Sequence, residues 1–157
     1  MFRNGEIQGV AVHPLSKYTD KRGWLVELFR QDEIEREYYP VMSYISMTDV
    51  GVARGPHEHV HQSDLFGFLG PSNFKVYLWD NRKNSPTYMN KKVVIVGEQE
   101  PASVLVPPGV VHAYKNVGSA LGMVTNFPNQ LFAGKGRKEP VDEIRHENDP
   151  NTIFILD

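Results

Sequence analysis

The sequence predicts an all-β fold, a barrel or jelly roll of short strands with one short helix, in a single domain that covers residues 1–157. Two observations predict it. Short runs alternate between apolar and polar residues and are rich in β-branched and aromatic side chains, and Gly, Pro, Asn or Asp separates them. The 157 residues, 40% hydrophobic and 11% aromatic, are enough to fill one core. A parallel α/β sheet would need helices between its strands, and the sequence predicts almost none.

Ten strands and one helix are predicted. In chain order the strands cover Trp24–Arg30, Val41–Met47, Val52–His59, Leu65–Leu69, Phe74–Asp80, Met89–Val96, Ser103–Val106, Val111–Asn116, Leu121–Asn126 and Thr152–Leu156. The helix covers Gln31–Glu37, which is acidic at its start and is followed by Pro40. Residues 133–151 are polar and contain Gly and Pro, so we expect a loop there.

Charge and composition exclude several function classes. The 17 basic and 19 acidic residues leave a net charge of -2 without a long run of either sign, which argues against nucleic acid as a partner. No apolar stretch is long enough for a signal peptide or a membrane span, so we expect a cytoplasmic protein that does not bind membranes. The chain has no cysteine, so histidine and carboxylate would have to bind any metal.

The histidines occupy two separate segments. GPHEHVHQSD places His57, His59 and His61 two residues apart, so that an extended chain directs all three to one face. PPGVVHAYKN places His112 after a Pro-Pro-Gly turn that can start a new strand. These two segments predict a cavity that contains several imidazoles, although histidines on a half-buried strand are also often only hydrogen-bonded or solvated.

The order of these groups resembles the paired motifs of the cupin superfamily. There, two histidines in a His-x-His pattern, an acidic residue and a later histidine hold a divalent metal inside the barrel. The matching residues here are His57, His59, Asp64 and His112. The usual acid in that pattern is Glu, whereas the Asp64 side chain is shorter.

Five ordered segments resemble the dTDP-4-dehydrorhamnose 3,5-epimerase family over nearly the whole chain. They are DKRGWLVELF at 20–29, GVARGPH at 51–57, WDNRKNSPTY at 79–88, VPPGVVHAY at 106–114 and VTNF at 124–127. The resemblance implies a cupin barrel, usually a homodimer, that acts on a nucleotide-linked sugar and needs no metal. It also implies a role in deoxysugar or polysaccharide biosynthesis. We expect any exchange between subunits to involve the strands before Val41.

The resemblance also assigns roles to residues. His57 matches the family's base, and a neutral imidazole suits proton removal next to a ketone. Arg22 and Arg54 match residues that bind the substrate and its diphosphate, while Glu27 and His112 complete the lining of the site. The alternative for Arg54 and Glu27 is a structural ion pair between neighbouring strands.

Three departures from the family pattern leave the reaction open. The carboxylate that orients the basic histidine in the family lies in a C-terminal segment beyond Asp157, so we expect another residue, or none, to orient His57. The family's general acid is a tyrosine at the position where this chain has Phe127. Tyr114 is the most plausible replacement acid, although it would equally suit a core position. A family lysine aligns with Asp64, which reverses a charge next to the substrate. A metal bound by Asp64 and the histidines could replace that lysine, but a metal-bound His57 could not act as the base.

We therefore predict a nucleotide-sugar epimerase or isomerase that removes a proton next to the ketone of a 4-keto-6-deoxyhexose, with His57 and Tyr114 as catalytic residues. Two alternatives remain open. One is a metal-dependent cupin enzyme of another kind. The other is a binding module for sugar nucleotides that has lost the catalytic groups.

Overall fold

In the computed structural model, which describes residues 1–157, two β-sheets pack face to face in a jelly roll. The strands are β1 (Arg3–Asn4), β2 (Ala11–Pro14), β3 (Tyr18–Asp20), β4 (Gly23–Leu25), β5 (Tyr44–Thr48), β6 (Ala53–Glu58), β7 (Asp64–Phe68), β8 (Asn73–Asp80), β9 (Asn90–Gly97), β10 (Ala102–Val106), β11 (Val110–Asn116), β12 (Gly122–Asn126) and β13 (Ile144–Arg145). The 3-10 helices are Gln31–Glu33, Arg36–Tyr38, Lys135–Arg137 and His146–Asn148. The structure contains no helix long and apolar enough to cross a membrane.

The two sheets differ in size and in the strands that form them. The larger sheet has the order β1-β9-β8-β11-β6-β13, and the smaller sheet has the order β2-β10-β7-β12-β5. All neighbouring strands are antiparallel except β1 and β9. Strands β3 and β4 form a separate hairpin that pairs with neither sheet.

The core lies between the sheets and is rich in aromatic rings. A cluster of 13 buried residues fills this space and draws on strands from both sheets. Phe68 and Phe74 each place a ring edge against Tyr114, at centroid distances of 5.8 Å. Such tilted aromatic pairs are favourable beyond the apolar area that they bury. This packing fixes the distance between the sheets, and therefore the width of any cavity at the end of the barrel.

The last residues of the chain cover the outer face of the larger sheet. Phe154 packs edge-on against Trp79, and the Tyr77 hydroxyl donates a hydrogen bond of 2.7 Å to the Asp157 carbonyl oxygen. The Lys75 ammonium lies 2.7 Å from the Asp157 carboxylate. The predicted strand Thr152–Leu156 is therefore wrong, because this segment is held by side chains and pairs with no strand.

The predicted helix Gln31–Glu37 is also wrong. Two 3-10 turns replace it, separated by an extended Ile34, and neither turn buries a residue or has a side-chain cap. A helix this short depends on packing of one face, which these residues do not have. The preceding strand predicted at Trp24–Arg30 is shortened to the three residues of β4.

From residue 41 to residue 126 the sequence prediction is confirmed. Strands β5 to β12 agree with the eight strands predicted there to within three residues at each end. Strands β1, β2, β3 and β13 were not predicted. Three of these are only two or three residues long, too short for an alternating pattern to show.

Candidate functional site

Three imidazoles meet at one end of the space between the sheets. Strands β6 and β11 are antiparallel neighbours, with His57 opposite His112, and His59 follows the end of β6. The ring centroids of His57 and His112 are 4.4 Å apart, and those of His59 and His112 are 5.7 Å apart. One ring nitrogen from each of the three lies within 4.8 Å of the others. The predicted histidine cluster is therefore formed.

A bulge in β6 directs two of the predicted residues to the same side. The pairing runs from His57 opposite His112 to Arg54 opposite Tyr114, so β6 has one residue more than β11 between these pairs. In a regular strand Arg54 and His57, three residues apart, would face opposite sides, but here both line one cavity. Gly55 permits the bulge, because its φ is +82° and a Cβ there would lie 2.5 Å from the His112 carbonyl oxygen.

Asp64 at the start of β7 approaches the histidines from the opposite sheet. Its side chain is 1% exposed, and Oδ2 lies 3.0 Å from His59 Nε2 and 3.3 Å from His112 Nε2. Its Oδ1 accepts hydrogen bonds of 2.8 Å from the amides of Gln62 and Asn126. Burial would raise the pKa of Asp64, but the contacts with His112 and His59 outweigh burial and hold that pKa below its usual range. Asp64 is therefore a fixed buried carboxylate.

His57 remains a neutral imidazole. Burial lowers its pKa to about 2, helped by His112 and His59. The ring borders the cavity, so a molecule bound there could reach it. A buried, uncharged ring nitrogen with an available lone pair is a proton acceptor at neutral pH.

The cavity has a volume of about 1130 Å³. Its inner wall contains Tyr44, Ser46, Arg54, His57 and Tyr114. Its outer wall is formed by residues 128–147, which we call the strap. Most of the strap lies in the segment that the sequence predicts as a loop, and it contains only the 3-10 helix at 135–137, β13 and the start of a last 3-10 turn as regular structure.

Asp142 fastens the strap to the chain that follows β6. Its carboxylate accepts hydrogen bonds of 2.8 Å from the backbone N–H groups of Val60, His61 and Gln62. Its carbonyl oxygen bonds Nδ1 of His59. Burial would raise the pKa of Asp142, but the three N–H donors prevail and lower it. The strap and the histidines are therefore one connected structure.

Tyr114 and Arg54 place a hydroxyl and a guanidinium at the cavity wall. The Tyr114 hydroxyl lies 2.8 Å from Ser46 Oγ, and burial raises its pKa, so the phenol stays protonated. Arg54 donates from Nε to Thr48 Oγ1 at 3.0 Å and from a terminal nitrogen to the Met47 carbonyl oxygen at 2.7 Å. Its remaining N–H groups are available to a ligand.

Four predicted residues do not line the cavity within a single chain. His112 and Asp64 are buried behind its wall, so the prediction that His112 lines the site is not met, and Arg22 and Glu27 lie elsewhere on the surface. The Arg22 side chain is 83% exposed and pairs with Asp20 in the hairpin of β3 and β4. Glu27 lies at a separate, smaller pocket, with its carboxylate 3.8 Å from Arg30. The alternative of an ion pair between Glu27 and Arg54 is therefore wrong.

Four residues at the site were not identified from the sequence: Tyr44, Gln62, Asn126 and Asp142. Asn126 donates to both Asp64 Oδ1 and the Tyr44 hydroxyl, while Gln62 donates to Asp64 Oδ1. Their partners lie on other elements or in loops, so no periodic pattern marks them. The family segment VTNF contains Asn126 and was the one available signal.

Comparisons with known proteins agree on one family. The sequence model of the family dTDP-4-dehydrorhamnose 3,5-epimerase matches residues 4–130. The chain is 35% identical over 127 residues to a probable low-salt glycan biosynthesis epimerase, Agl13, of Haloferax volcanii, and the match covers 80% of this chain and 81% of that one. It is 38% identical over 147 residues to the spore coat polysaccharide biosynthesis protein SpsL of Bacillus subtilis, covering 94% and 93%.

A solved structure with the same fold contains a bound sugar nucleotide. It is the dTDP-6-deoxy-D-glucose-3,5-epimerase of Legionella pneumophila in complex with dTDP-4-keto-L-rhamnose. The TM-score is 0.76 at 21% identity, and the match covers 98% of this chain and 82% of that one. At this identity the likeness confirms the cupin-type jelly roll.

Proposed function

The chain belongs to the dTDP-4-dehydrorhamnose 3,5-epimerase family, and from this premise we propose that it epimerises a nucleotide-linked 4-keto-6-deoxyhexose. The observation that carries the proposal is the neutral His57 imidazole at the wall of a large cavity. Proton abstraction next to a ketone needs a base with a free lone pair within reach of the substrate. The names of the two curated relatives point to the synthesis of glycans or polysaccharides as the pathway.

In the proposed reaction His57 takes the proton from a carbon next to the ketone. The electron pair of the broken C–H bond forms the C=C bond to the carbonyl carbon, and the π pair of the C=O bond moves onto the oxygen, which becomes the enolate oxygen. The negative charge that develops nearby stabilises the imidazolium as it forms, which offsets the low pKa of His57 in the empty cavity. Return of a proton to the opposite face of the carbon then inverts it.

Tyr114 is our candidate for the acid that returns the proton. Its hydroxyl is protonated, borders the cavity and is held by Ser46. Tyr114 also packs against Phe68 and Phe74, so the same ring serves the core. Packing of the ring and donation by the hydroxyl are compatible, because only the phenol oxygen faces Ser46.

Solvent deuterium tests this function directly. The chain should incorporate deuterium at a carbon next to the ketone of a nucleotide-4-ketosugar, detected by mass spectrometry or NMR. Enolate formation gives this signal even where net epimerisation is slow. Tight binding of such sugars without any incorporation would contradict the proposal and would favour a binding module without catalysis.

We expect Arg54→Ala to weaken binding of the nucleotide sugar. A lost charged hydrogen bond costs about 1.5–3 kcal/mol, which corresponds to roughly a 10- to 150-fold higher Kd. The free energy of unfolding of this variant should fall only slightly. The two hydrogen bonds that are lost with the Arg54 side chain go to Thr48 Oγ1 and the Met47 carbonyl oxygen, which belong to an edge strand. Calorimetric titration with a dTDP-sugar, alongside a thermal melt, measures both quantities. Unchanged Kd with a large fall in Tm would show a structural role instead.

We also propose a homodimer formed through the first strands. The hairpin of β3 and β4 exposes Tyr18, Trp24 and Leu25 by 62%, 51% and 63%, and it pairs with neither sheet. Such surfaces are usually covered by a partner. Arg22 or Glu27 could then bind substrate only if its side chain reached the cavity of the second chain in the dimer. Sedimentation should give about twice the chain mass of 17.9 kDa, and a purely monomeric species at micromolar concentration would contradict this.

A metal-dependent cupin enzyme of another kind is the second candidate function. The observation that favours it is the approach of His57, His59 and His112, with ring nitrogens within 4.8 Å. If His57 were a ligand it could not also remove a proton. The two functions therefore differ in what they require of His57.

A further inference from the structure

The proposed reaction creates a negative charge that needs a hydrogen-bond donor. As His57 removes the proton, charge collects on the keto oxygen of the substrate, and a fixed donor aimed at that oxygen lowers the barrier. The His57 ring is engaged in taking the proton. Asp64, which is buried beside the histidines, is negative and would oppose the new charge. The donor must therefore come from another residue at the cavity wall.

Tyr44 places a hydroxyl at the cavity wall, on the sheet opposite His57. Tyr44 is the first residue of β5, the edge strand of the smaller sheet, whereas His57 lies on β6 in the larger sheet. Both side chains border the cavity, and Tyr44 is 44% exposed. A sugar bound in the cavity can therefore contact the base and this hydroxyl at the same time.

The amide of Asn126 fixes the direction of the Tyr44 hydroxyl. Asn126 Nδ2 lies 2.8 Å from Asp64 Oδ1 and 2.9 Å from the Tyr44 oxygen. An ionised carboxylate can only accept hydrogen bonds, so the nitrogen of the amide, and not its oxygen, must face Asp64. The same nitrogen donates its second hydrogen to Tyr44. The Tyr44 oxygen is therefore the acceptor in this bond, and its own proton points elsewhere.

The Tyr44 proton is available to a ligand. The hydroxyl makes no hydrogen bond in the structure except the one that it accepts from Asn126. Burial raises the pKa of this phenol, and the negative charge of Asp64 raises it further, so the phenol is protonated at neutral pH. A hydroxyl whose oxygen is held and whose proton is free is a donor already oriented for a ligand oxygen.

The other polar groups of the inner wall have different partners or roles. Ser46 and Tyr114 share a hydrogen bond of 2.8 Å, and the proposed function uses the remaining proton of that pair to invert the carbon. Arg54 already donates two hydrogen bonds to β5, and its free N–H groups are assigned to binding of the nucleotide sugar. Tyr44 is the inner-wall donor that the reaction has not yet used.

We propose, on the premise of the proposed function, that the Tyr44 hydroxyl donates a hydrogen bond to the keto oxygen of the substrate and stabilises the enolate. The bond strengthens as negative charge develops on that oxygen, so it lowers the barrier to proton removal by His57 more than it strengthens substrate binding. The phenol keeps its proton throughout, and no atom is transferred. Tyr44 is thus a further catalytic residue, distinct from the base and from the acid.

The test measures two rates with the full chain and a nucleotide-4-ketosugar in D₂O. One rate is deuterium incorporation next to the ketone, and the other is net inversion of the same carbon, both followed by NMR. In Tyr44→Phe we expect both rates to fall by the same factor, about 100- to 1000-fold, because both pass through the enolate. The Kd of dTDP, which has no keto oxygen, should stay unchanged. Tyr88→Phe is the matched control, since Tyr88 lies outside the cavity, and it should keep both wild-type rates.

Tyr44→Phe should fold, because Asn126 keeps its bond to Asp64, and an unchanged Kd for dTDP verifies an intact cavity. Wild-type rates in this variant would overturn the assignment and leave the proposed function intact. A fall in inversion without a matching fall in exchange would also overturn it and would make Tyr44 the acid, since His57 can return a deuteron to the face that lost the proton. Absence of exchange in the wild-type chain would overturn the proposed function, and this assignment with it.

Discussion

His57→Asn should abolish deuterium exchange into the substrate while ligand binding is retained. General-base catalysis contributes about 10²–10⁴-fold, so the exchange rate should fall by at least that factor. Binding should change little, because proton removal is a role in the transition state. Asparagine approximates the shape of the ring and cannot accept the proton. The rate is measured by mass spectrometry, and the Kd by calorimetry with the same sugar nucleotide.

His61→Asn is the matched control for this result. His61 lies at the same cavity two residues after His59, but it is exposed and outside the cluster of ring nitrogens. The His61→Asn variant should incorporate deuterium into the substrate at the wild-type rate. If His57→Asn retained that rate too, His57 would not be the base. If it lost binding as well as exchange, the ring would serve mainly to hold the substrate.

Gly55→Ala should destabilise the fold by about 3–5 kcal/mol. The positive φ of +82° is unfavourable for alanine, and the new Cβ would lie 2.5 Å from the His112 carbonyl oxygen and 3.2 Å from Ala113 Cα. Both are backbone atoms of the neighbouring strand, so β6 and β11 would have to separate. Urea denaturation followed by circular dichroism measures the change in free energy of unfolding.

Gly51→Ala is the control that distinguishes the free-energy cost of the steric clash from the cost of the unfavourable backbone conformation. Gly51 also has a positive φ, +76°, but a Cβ there would meet no atom within 4 Å. It should cost only about 1 kcal/mol, the conformational part of the effect. Equal losses in the two variants would mean that the close approach of β6 to β11 does not matter.

The sequence was most informative where strands lie in the middle of a sheet. β7 is buried along its whole length and β8 along most of it, so strong apolar runs bounded by Gly, Pro or Asp marked them. The histidine cluster could also be predicted, since His57 and His59 alternate and His112 follows a turn that starts a strand. The helix predicted at 31–37 does not form, because helix propensity alone does not stabilise a helix of seven residues.

Contacts between distant segments could not be predicted. Asp142 bonds the backbone of residues 60–62 across about 80 positions, and no pattern in the strap indicates this. The bulge that turns Arg54 and His57 to one side interrupts the alternation of side chains along β6. The spacing of a regular strand would therefore place one of these two residues on the wrong face of the sheet. Arg22 and Glu27 as substrate ligands, and the single domain over residues 1–157, stay predictions.

The attachment of the strap through Asp142 also makes its motion measurable. The backbone amides of Val60, His61 and Gln62 bond only the Asp142 carboxylate, so they are protected while the strap is closed and exposed to water once it lifts. Their amide hydrogen-exchange rates therefore report the fraction of time that the strap is open. Because the same residue bonds His59, lifting of the strap would also release one imidazole, and access to the cavity would then be coupled to the order of the histidines beneath it.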